Sequence, residues 1–429
     1  MFVNLATLVL NFIPIKHLIL TNLAIFAVMV KMRLFLMLSL FCSLSVLAQP
    51  AAEFRGVWIA TVVNIDWPPA NAGTEAQKAD FIRQLDMHKR NGMNAIIMQV
   101  RPSGDAFFPS PHEPWSQWLT GVQGRAPSPF YDPLAFMIAE THKRGMEFHA
   151  WLNPYRAEFK ISQSSIASDN LIRKRPDWFV TYGTTRYFDP ANKEVQQFVV
   201  NVIEDIVRRY DVDAIHMDDY FYPYPVGNTP FPDEYTYRKS GSRLSKDDWR
   251  RSNVDSIIKD INIAIKKTKP YVKFGISPFS VWRNLKDDTQ GSDSKAGITN
   301  FDNLYADILL WLRKGWIDYV TPQLYREIND PLIAYEKLVD WWSAHSFGRH
   351  VYIGHGIYRA YEKNANWKDP NQLPNQIKIV RKTPGIQGSV YFSSNSFNRN
   401  PNGWNDSLRN NYYRIPAKVP DMPWLPKRP

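Results

Sequence analysis

Short apolar, β-branched or aromatic runs alternate eight times with longer amphipathic segments from Phe54 onward. Such runs predict buried strands, and segments with helical spacing of apolar residues predict helices. The predicted strands begin at Phe54, Met93, Met146, Val212, Val272, Ile317, His350 and Ile386. The predicted helices span residues 75–89, 133–144, 193–209, 246–267, 300–313, 331–345 and 371–382.

This alternation predicts an α/β fold with parallel strands joined by right-handed crossovers. Eight units close most simply into a (β/α)8 TIM barrel over residues 53–400, followed by a Pro-rich extension, 401–429, on the surface. A doubly wound open sheet is the alternative, but no Gly-rich phosphate turn follows the first strand. The long connections all follow C-terminal strand ends, where barrel enzymes build active sites: 102–132, 153–192, 222–245 and 282–299.

The stretch "DAIHMDDYFYP", residues 213–223, ends a predicted buried strand in two adjacent aspartates. Neighbouring buried carboxyls repel, which raises the pKa of at least one of them and suits a general acid at neutral pH. Strand alternation directs His216 and Asp218 into the barrel, whereas Asp219 begins the loop. Asp218 and Asp219 are therefore the predicted catalytic pair, and Glu327, at the sixth strand end, is the alternative second carboxyl.

Polar and aromatic side chains at other strand ends converge on the same face of the barrel. The chain contains 15 Trp, 21 Tyr and 24 Phe, and rings at such positions stack on the apolar faces of sugars. Ordinary packing or a hydrogen-bonded rim position is the alternative for each residue. The residues predicted to bind substrate are Arg101, Asn153, Tyr155, His216, Tyr220, Trp282, Gln323 and Tyr325.

Two chemistries suit this arrangement. Glycoside hydrolysis commonly uses two carboxyls roughly 5 to 9.5 Å apart, but on a 2-acetamido sugar the substrate's own acetamide can be the nucleophile. Metal binding competes, because His216, Asp218, Asp219 and His355 offer N and O ligands, as in a metal-dependent deacetylase. No H-E-x-x-H or comparable motif supports a metal, so no metal or other cofactor is predicted.

The first 48 residues are apolar and contain no acidic residue. From Met32 the sequence "MRLFLMLSLFCSLSVLAQP" has the basic start, apolar stretch and small residues of a secretory signal. Residues 1–31 are then an upstream extension, the alternative being a poor membrane helix interrupted by Pro14 and Lys16. We expect export to the periplasm or outer surface of a bacterium, without membrane insertion after signal cleavage.

The one cysteine, Cys42, lies within this signal, which excludes disulfides and thiolate metal sites from the mature protein. Removal of Lys16, Lys31 and Arg33 with the signal takes the formal net charge from +11 to +8, which suits an anionic partner such as a cell-wall polymer. The charge is scattered, with no basic run longer than residues 173–175, so a nucleic-acid partner is not predicted.

Four motifs carry a family resemblance: "EFRGVWIATVVNIDWP" from Glu53, "MQVRPSGDAFFPSPHEPWSQWLTG" from Met98, "DPLAFMIAETHKRGMEFHAWLNPYR" from Asp132 and "IHMDDYFYP" from Ile215. They resemble glycosyl hydrolase-like family 10, the YngK-type proteins, a group that includes DigH-type peptidoglycan glycosidases. The resemblance covers residues 53–398. It implies a secreted (β/α)8 glycosidase acting on cell-wall glycan, specifically strands stripped of stem peptides in DigH-type members. It also implies that the family's acidic pair corresponds to Asp218 and Asp219.

The leading hypothesis is an exported glycoside hydrolase that cleaves a bacterial glycan, foremost peptidoglycan strands. Asp219 would be the general acid/base, and Asp218 would orient the substrate acetamide or stabilise developing positive charge. A non-catalytic glycan-binding barrel and a metal-dependent polysaccharide deacetylase are the alternatives. Loss of turnover with retained binding in Asp219→Asn separates the first from the second, and chelator sensitivity identifies the third.

Overall fold

The computed structural model describes residues 50–429, of which residues 51–429 form one compact unit. The predicted signal region, 1–48, lies outside the described residues. Within the described part, no helix has both the length and the apolar character needed to cross a membrane.

Eight parallel strands close into a barrel, as the sequence predicts. In chain order they are β1 (Phe54–Ile59), β2 (Ala95–Arg101), β3 (Glu147–Leu152), β7 (Ala214–Met217), β8 (Lys273–Ile276), β9 (Tyr319–Val320), β10 (His350–Gly356) and β11 (Gly388–Phe392). Each strand pairs with its neighbours along the chain, and β1 pairs with both β2 and β11 to close the ring. The connection after β3 contains a small antiparallel sheet of β4 (Arg156–Glu158), β5 (Phe179–Tyr182) and β6 (Thr185–Phe188).

Helices cover the outside of the barrel. The longer ones are α1 (Thr74–Arg90), α3 (Pro133–Lys143), α5 (Lys193–Arg209), α7 (Lys246–Thr268), α9 (Ile308–Lys314), α10 (Tyr335–Ala344) and α12 (Gln372–Lys382). The shorter ones are α2 (Gln117–Thr120), α4 (Leu171–Lys174), α6 (Glu234–Ser240), α8 (Asn300–Asn303), α11 (Ala365–Lys368), α13 (Ser394–Phe397) and α14 (Trp404–Ser407). Single-turn 3-10 segments occupy Val62–Asn64, Pro176–Trp178, Ile357–Tyr361 and Pro401–Gly403, and a π-helical turn occupies Leu408–Tyr412.

Two predicted helices differ from the observed ones. The segment predicted as one helix over 300–313 is divided into α8 and α9, because Tyr305 adopts a positive φ of 53° and Asp307 caps the second helix through the Leu310 amide. The helix predicted from residue 331 begins at Tyr335, because the Asp330 carboxylate accepts hydrogen bonds from two backbone amides of the preceding turn. A side-chain cap from Asp307 therefore begins α9, whereas a turn closed by Asp330 delays the start of α10, whose N-cap residue Ala334 offers no side-chain cap.

The barrel interior is filled mainly by aromatic rings. Tyr319 extends across it, close to Phe54 and Tyr352, whose rings are stacked with centroids 4.0 Å apart. Gly275, opposite Tyr319 in the sheet, leaves the space that this ring occupies, since a Cβ there would lie 2.0 Å from the Tyr319 ring. The apolar layer between strands and helices forms a second, larger core.

The C-terminal extension covers the N-terminal end of the barrel. Lys418 pairs with Ala52 beside β1, Met422 packs into the interior cluster, and the Trp424 indole donates to Asp318 at 2.9 Å. A cavity of about 660 Å³ lies between the extension and the strand starts. Ion pairs to Glu147 and Asp213 line that cavity, which places it at the end of the barrel that usually serves stability.

We expect Gly275→Ala to lower the free energy of unfolding by about 3 kcal/mol, because the new methyl group overlaps the Tyr319 ring. Urea denaturation would measure this change. Gly297→Ala is the matched control, since a Cβ at Gly297 meets no atom within 4 Å and should change stability by less than about 1 kcal/mol. Equal stability of the two variants would contradict this account of the interior.

Candidate active site

A cleft of about 300 Å³ opens at the C-terminal ends of the barrel strands. Aromatic rings, side-chain amides and two charged side chains line this cleft. Because these side chains come from strands around the whole barrel, the closed sheet holds them in fixed relative positions. The lining residues are Trp58, Ala60, Val62, Val63, Ile65, Gln99, Trp151, Arg156, Phe159, Asp218, Tyr220, Ser277, Gln323, Tyr325, Tyr358 and Phe392.

Asp218 and Asp219 lie directly after β7, and both are buried. The Asp218 carboxylate accepts hydrogen bonds from the Trp151 indole at 3.1 Å and from the Asn153 amide at 3.2 Å. The Asp219 carboxylate accepts a hydrogen bond from the Tyr224 hydroxyl. Asp218 therefore lines the cleft with its orientation fixed, whereas Asp219, the next residue, is held by Tyr224 and is not itself a lining residue.

Burial separates the two carboxyls from water and raises the pKa of each. For Asp218 the positive charge of Arg156 and the hydrogen bonds from Trp151 and Asn153 oppose this rise. For Asp219 burial and then the negative charge of Asp218 raise the pKa to about 7, against the hydrogen bond from Tyr224. The pair is thus arranged to carry one proton near neutral pH, as required of an acid beside an ionised carboxylate.

Asn153 connects the two charged groups of the cleft. Its side-chain NH2 donates to Asp218, and its side-chain oxygen accepts the backbone N–H of Arg156 at 2.8 Å. Asn153 is fully buried and does not line the cleft. Asn153, which the sequence predicted to bind the sugar, thus lies behind the cleft wall, where it positions Asp218 and Arg156.

A chain of hydrogen bonds runs beneath the cleft floor along the barrel axis. The Trp58 indole N–H donates to His216 Nε2 at 3.3 Å, and the Ser277 hydroxyl lies 3.0 Å from the same nitrogen. This arrangement suits the tautomer in which Nε2 accepts both bonds and His216 Nδ1–H donates to the Tyr319 hydroxyl at 3.0 Å. Tyr319 in turn donates to His149 Nδ1 at 2.8 Å, and His149 Nε2–H donates to Glu147 at 3.0 Å. Burial lowers the pKa of His216, which keeps it neutral. His216 therefore supports Trp58 from below.

Four of the predicted site residues line the cleft: Asp218, Tyr220, Gln323 and Tyr325. Arg101 does not, because an irregularity in the β2–β3 register between Gln99 and Arg101 leaves Gln99 as the last lining residue of β2. The Arg101 guanidinium is buried and forms an ion pair with Glu113.

Three further predicted residues lie away from the cleft. Tyr155 is fully buried in the outer core, and Trp282 packs against Trp341 and Phe301 in the same layer. The Glu327 carboxylate accepts hydrogen bonds from Asn364 and Asn366 on the connection after β10. Because β9 contains only two residues, strand alternation does not extend to Glu327, and its side chain turns away from the barrel interior.

The sequence prediction omitted several lining residues, chiefly Trp58, Trp151, Gln99, Ser277 and Phe392. Trp58 and Trp151 occur within apolar strands, where a ring is usually core. Strand alternation could have identified both residues as cleft residues, since Trp151 stands two residues before Asn153 on the inward side of β3. Trp58 and Trp151 each occupy the last inward position of their strand, where they form part of the cleft floor.

The described residues, 50–429, contain no group of three His, Cys, Asp or Glu side chains arranged to hold a metal ion. Among the ligands that the sequence offered, His355 lies on the outer face of β10 and contacts Gln376 at 2.9 Å and Ser389 at 3.0 Å. It is therefore not brought together with Asp218 and Asp219, which lie on the inner side.

The barrel and its buried carboxyl pair define a (β/α)8 hydrolase. Its family follows from comparison with known proteins: the chain belongs to the family glycosyl hydrolase-like 10, whose profile matches residues 53–372. This confirms the resemblance carried by the sequence motifs. The chain is accordingly a glycoside hydrolase.

Two relatives and one solved structure illustrate its similarity to known proteins. "Glycosyl hydrolase YngK" of Bacillus subtilis (strain 168) is 48% identical over 393 residues, covering 89% of this chain and 77% of that protein. "Glycosyl hydrolase DigH" of Escherichia coli (strain K12) is 36% identical over 377 residues, covering 82% and 85%. The catalytic domain of β-amylase from Paenibacillus polymyxa has a TM-score of 0.56 at 12% identity, covering 86% of this chain and 99% of that one, which supports the fold alone.

The raised pKa of Asp219 predicts a pH-dependent stability. The pKa of Asp219 is about 7 in the native state, against 3.8 for an aspartate in water, so this stabilising contribution is present below about pH 4 and is lost as pH rises through about 7. The neutral variant Asp219→Asn should therefore gain about 2 to 4 kcal/mol relative to the unsubstituted protein between about pH 5 and about pH 8.

Urea denaturation at the two pH values would measure this gain. Asp421→Asn, at an exposed position of the C-terminal extension, is the control and should show the same pH dependence as the unsubstituted protein. An Asp219→Asn curve that runs parallel to the unsubstituted one would count against a buried, protonated Asp219.

Proposed function

We propose that this glycoside hydrolase is exported and cleaves a bacterial glycan, foremost the glycan strands of peptidoglycan, with Asp219 as general acid and base. The observation that carries the proposal is the buried pair: Asp218 is oriented by Trp151 and Asn153, and the pKa of Asp219 is raised to about 7. An acid with a pKa near the working pH gives the most effective proton transfer.

The cleft favours assistance by a substrate acetamide. Among the described lining residues Asp218 is the only carboxylate. Asp219 adjoins it in the chain on the same side, and Glu327 is hydrogen-bonded to Asn364 and Asn366, so no carboxylate lines the opposite side of the cleft. A direct two-carboxylate mechanism requires such a group on the other side of the scissile bond. An acetamide on the sugar ring would supply the nucleophile instead, and peptidoglycan is built from N-acetylated amino sugars.

The reaction would proceed in two steps. The acetamide oxygen attacks the anomeric carbon while Asp219 protonates the departing glycosidic oxygen, and Asp218 accepts the acetamide N–H and stabilises the positive charge that develops. Asp219, now ionised, then removes a proton from water as the water oxygen attacks the same carbon. This returns the proton to Asp219 and releases the sugar with its acetamide restored.

The remaining cleft residues suit a sugar chain. Trp58, Trp151, Tyr325 and Phe392 line the cleft, and aromatic rings of this kind pack against the apolar sides of pyranose rings. Export is supported by the signal-like sequence from Met32, and the choice of peptidoglycan by the resemblance to DigH-type peptidoglycan glycosidases.

Mass analysis of products would test the proposal. The chain from Gln49 onward would be incubated with peptide-free and with peptide-bearing peptidoglycan, and we expect sugar fragments from at least the peptide-free strands. Asp219→Asn should lower the rate by about 100-fold or more, because the leaving oxygen loses its proton donor.

Glu327→Gln tests whether Glu327, the alternative carboxyl, takes part in the reaction. Because the Glu327 carboxylate is hydrogen-bonded to Asn364 and Asn366 outside the cleft, this variant should release the same fragments at a similar rate. Loss of turnover in Glu327→Gln with retention in Asp219→Asn would reverse the assignment, and the absence of fragments from either substrate would reject peptidoglycan.

A further inference from the structure

Arg156 is a buried cation that lines the cleft and forms no direct ion pair, although its charge acts on Asp218 from beyond ion-pair distance. Arg156 is the first residue of β4 and is 8% exposed. The guanidinium lies over the Tyr220 ring, 4.8 Å from the centroid, and 5.4 Å from the centroid of Phe159. Its one side-chain hydrogen bond runs to the Pro102 carbonyl at 3.5 Å, the limit of such a bond.

The other buried arginines of the described chain are paired. Arg55 bonds Glu53 at 2.8 Å, Arg101 bonds Glu113 at 2.7 Å, and Arg250 bonds Asp233 at 2.7 Å. Leaving a buried guanidinium unpaired costs free energy, since its five N–H donors lose their water. Within residues 50–429 no carboxylate lies within ion-pair distance of Arg156. The position of its donors at the cleft therefore points to an anion supplied from outside the chain.

We propose that Arg156 binds a carboxylate of the glycan, so that the enzyme is specific for an acidic amino-sugar chain. This deepens the proposed function and rests on it. In peptidoglycan, the lactyl ether of the muramic acid unit ends in a free carboxylate only where no stem peptide is attached, and in an amide elsewhere. Arg156 would thus distinguish peptide-free strands from substituted ones.

The surroundings of Arg156 suit this role. A guanidinium pairs with a carboxylate through two parallel N–H bonds, which requires its plane to be held. The rings of Tyr220 and Phe159 hold the guanidinium, and Asn153 fixes its backbone through the Arg156 N–H. Arg156 and Asp218 are also the charged groups among the lining residues, so a substrate carboxylate meets one cation and one competing anion.

The test measures binding separately from turnover. In the Asp219→Asn background, calorimetry would compare an oligosaccharide of alternating N-acetylglucosamine and N-acetylmuramic acid with the same oligosaccharide whose lactyl carboxyls are converted to primary amides. We expect the acid to bind about 10- to 100-fold more tightly than the amide. Arg156→Gln should reduce this ratio to within about 3-fold, and Arg156→Lys, which keeps the charge but not the fork, should retain part of it.

A role of Arg156 confined to Asp218 or to folding would change the affinity for both ligands alike and leave their ratio unchanged. Three outcomes would overturn the inference: equal affinity for the acid and the amide, an affinity ratio that Arg156→Gln leaves unchanged, or binding of neither oligosaccharide. Equal affinity together with turnover of peptide-free strands would leave the proposed function standing. An Arg156-dependent preference without turnover by the unsubstituted protein would support the carboxylate site and contradict the proposed function.

Discussion

Two neighbouring carboxyls buried at the end of one barrel strand cannot both be charged without a large cost in free energy, and the site is organised around that constraint. Asp218 receives the compensating groups: the Trp151 indole, the Asn153 amide and the nearby Arg156 guanidinium. Asp219 accepts a hydrogen bond from the Tyr224 hydroxyl, and the negative charge of Asp218 raises its pKa. The unequal surroundings give the two carboxyls different roles, although they are adjacent and chemically identical.

The barrel makes this arrangement possible. Parallel strands direct their C-terminal ends to one rim, and the helices and the antiparallel sheet after β3 leave that rim open to the cleft. Interior packing also reaches the site, because Tyr319, accommodated by Gly275, hydrogen-bonds His216 beneath Trp58. The opposite end is closed by the C-terminal extension through Met422 and Trp424. Stability and chemistry are thus assigned to opposite ends of one sheet.

The barrel could be predicted from the sequence because its strands are buried on both faces and read as apolar runs separated by amphipathic helices. Strand alternation also identified Asp218, and position at a strand end identified Gln323, among the lining residues. Position at a strand end failed for Arg101, where a register irregularity in β2 changes which residue faces the cleft, and for Glu327, which lies beyond a strand of two residues. Arg156 and Phe159 lie in a connection whose small sheet has no signal of comparable length in the sequence. Contacts that depend on such irregular backbone follow from tertiary packing and not from local pattern.

In this structure Asp219 acts as the acid because Asp218 and burial keep it protonated. The pH dependence of kcat/KM for the unsubstituted enzyme and for Asp218→Asn, each normalised to its own maximum, would test this role. The unsubstituted enzyme should lose activity as pH rises through about 7, and the residual activity of Asp218→Asn should decline at a lower pH, because removal of the neighbouring negative charge lowers the pKa of Asp219. An alkaline limb at the same pH in both proteins would contradict it.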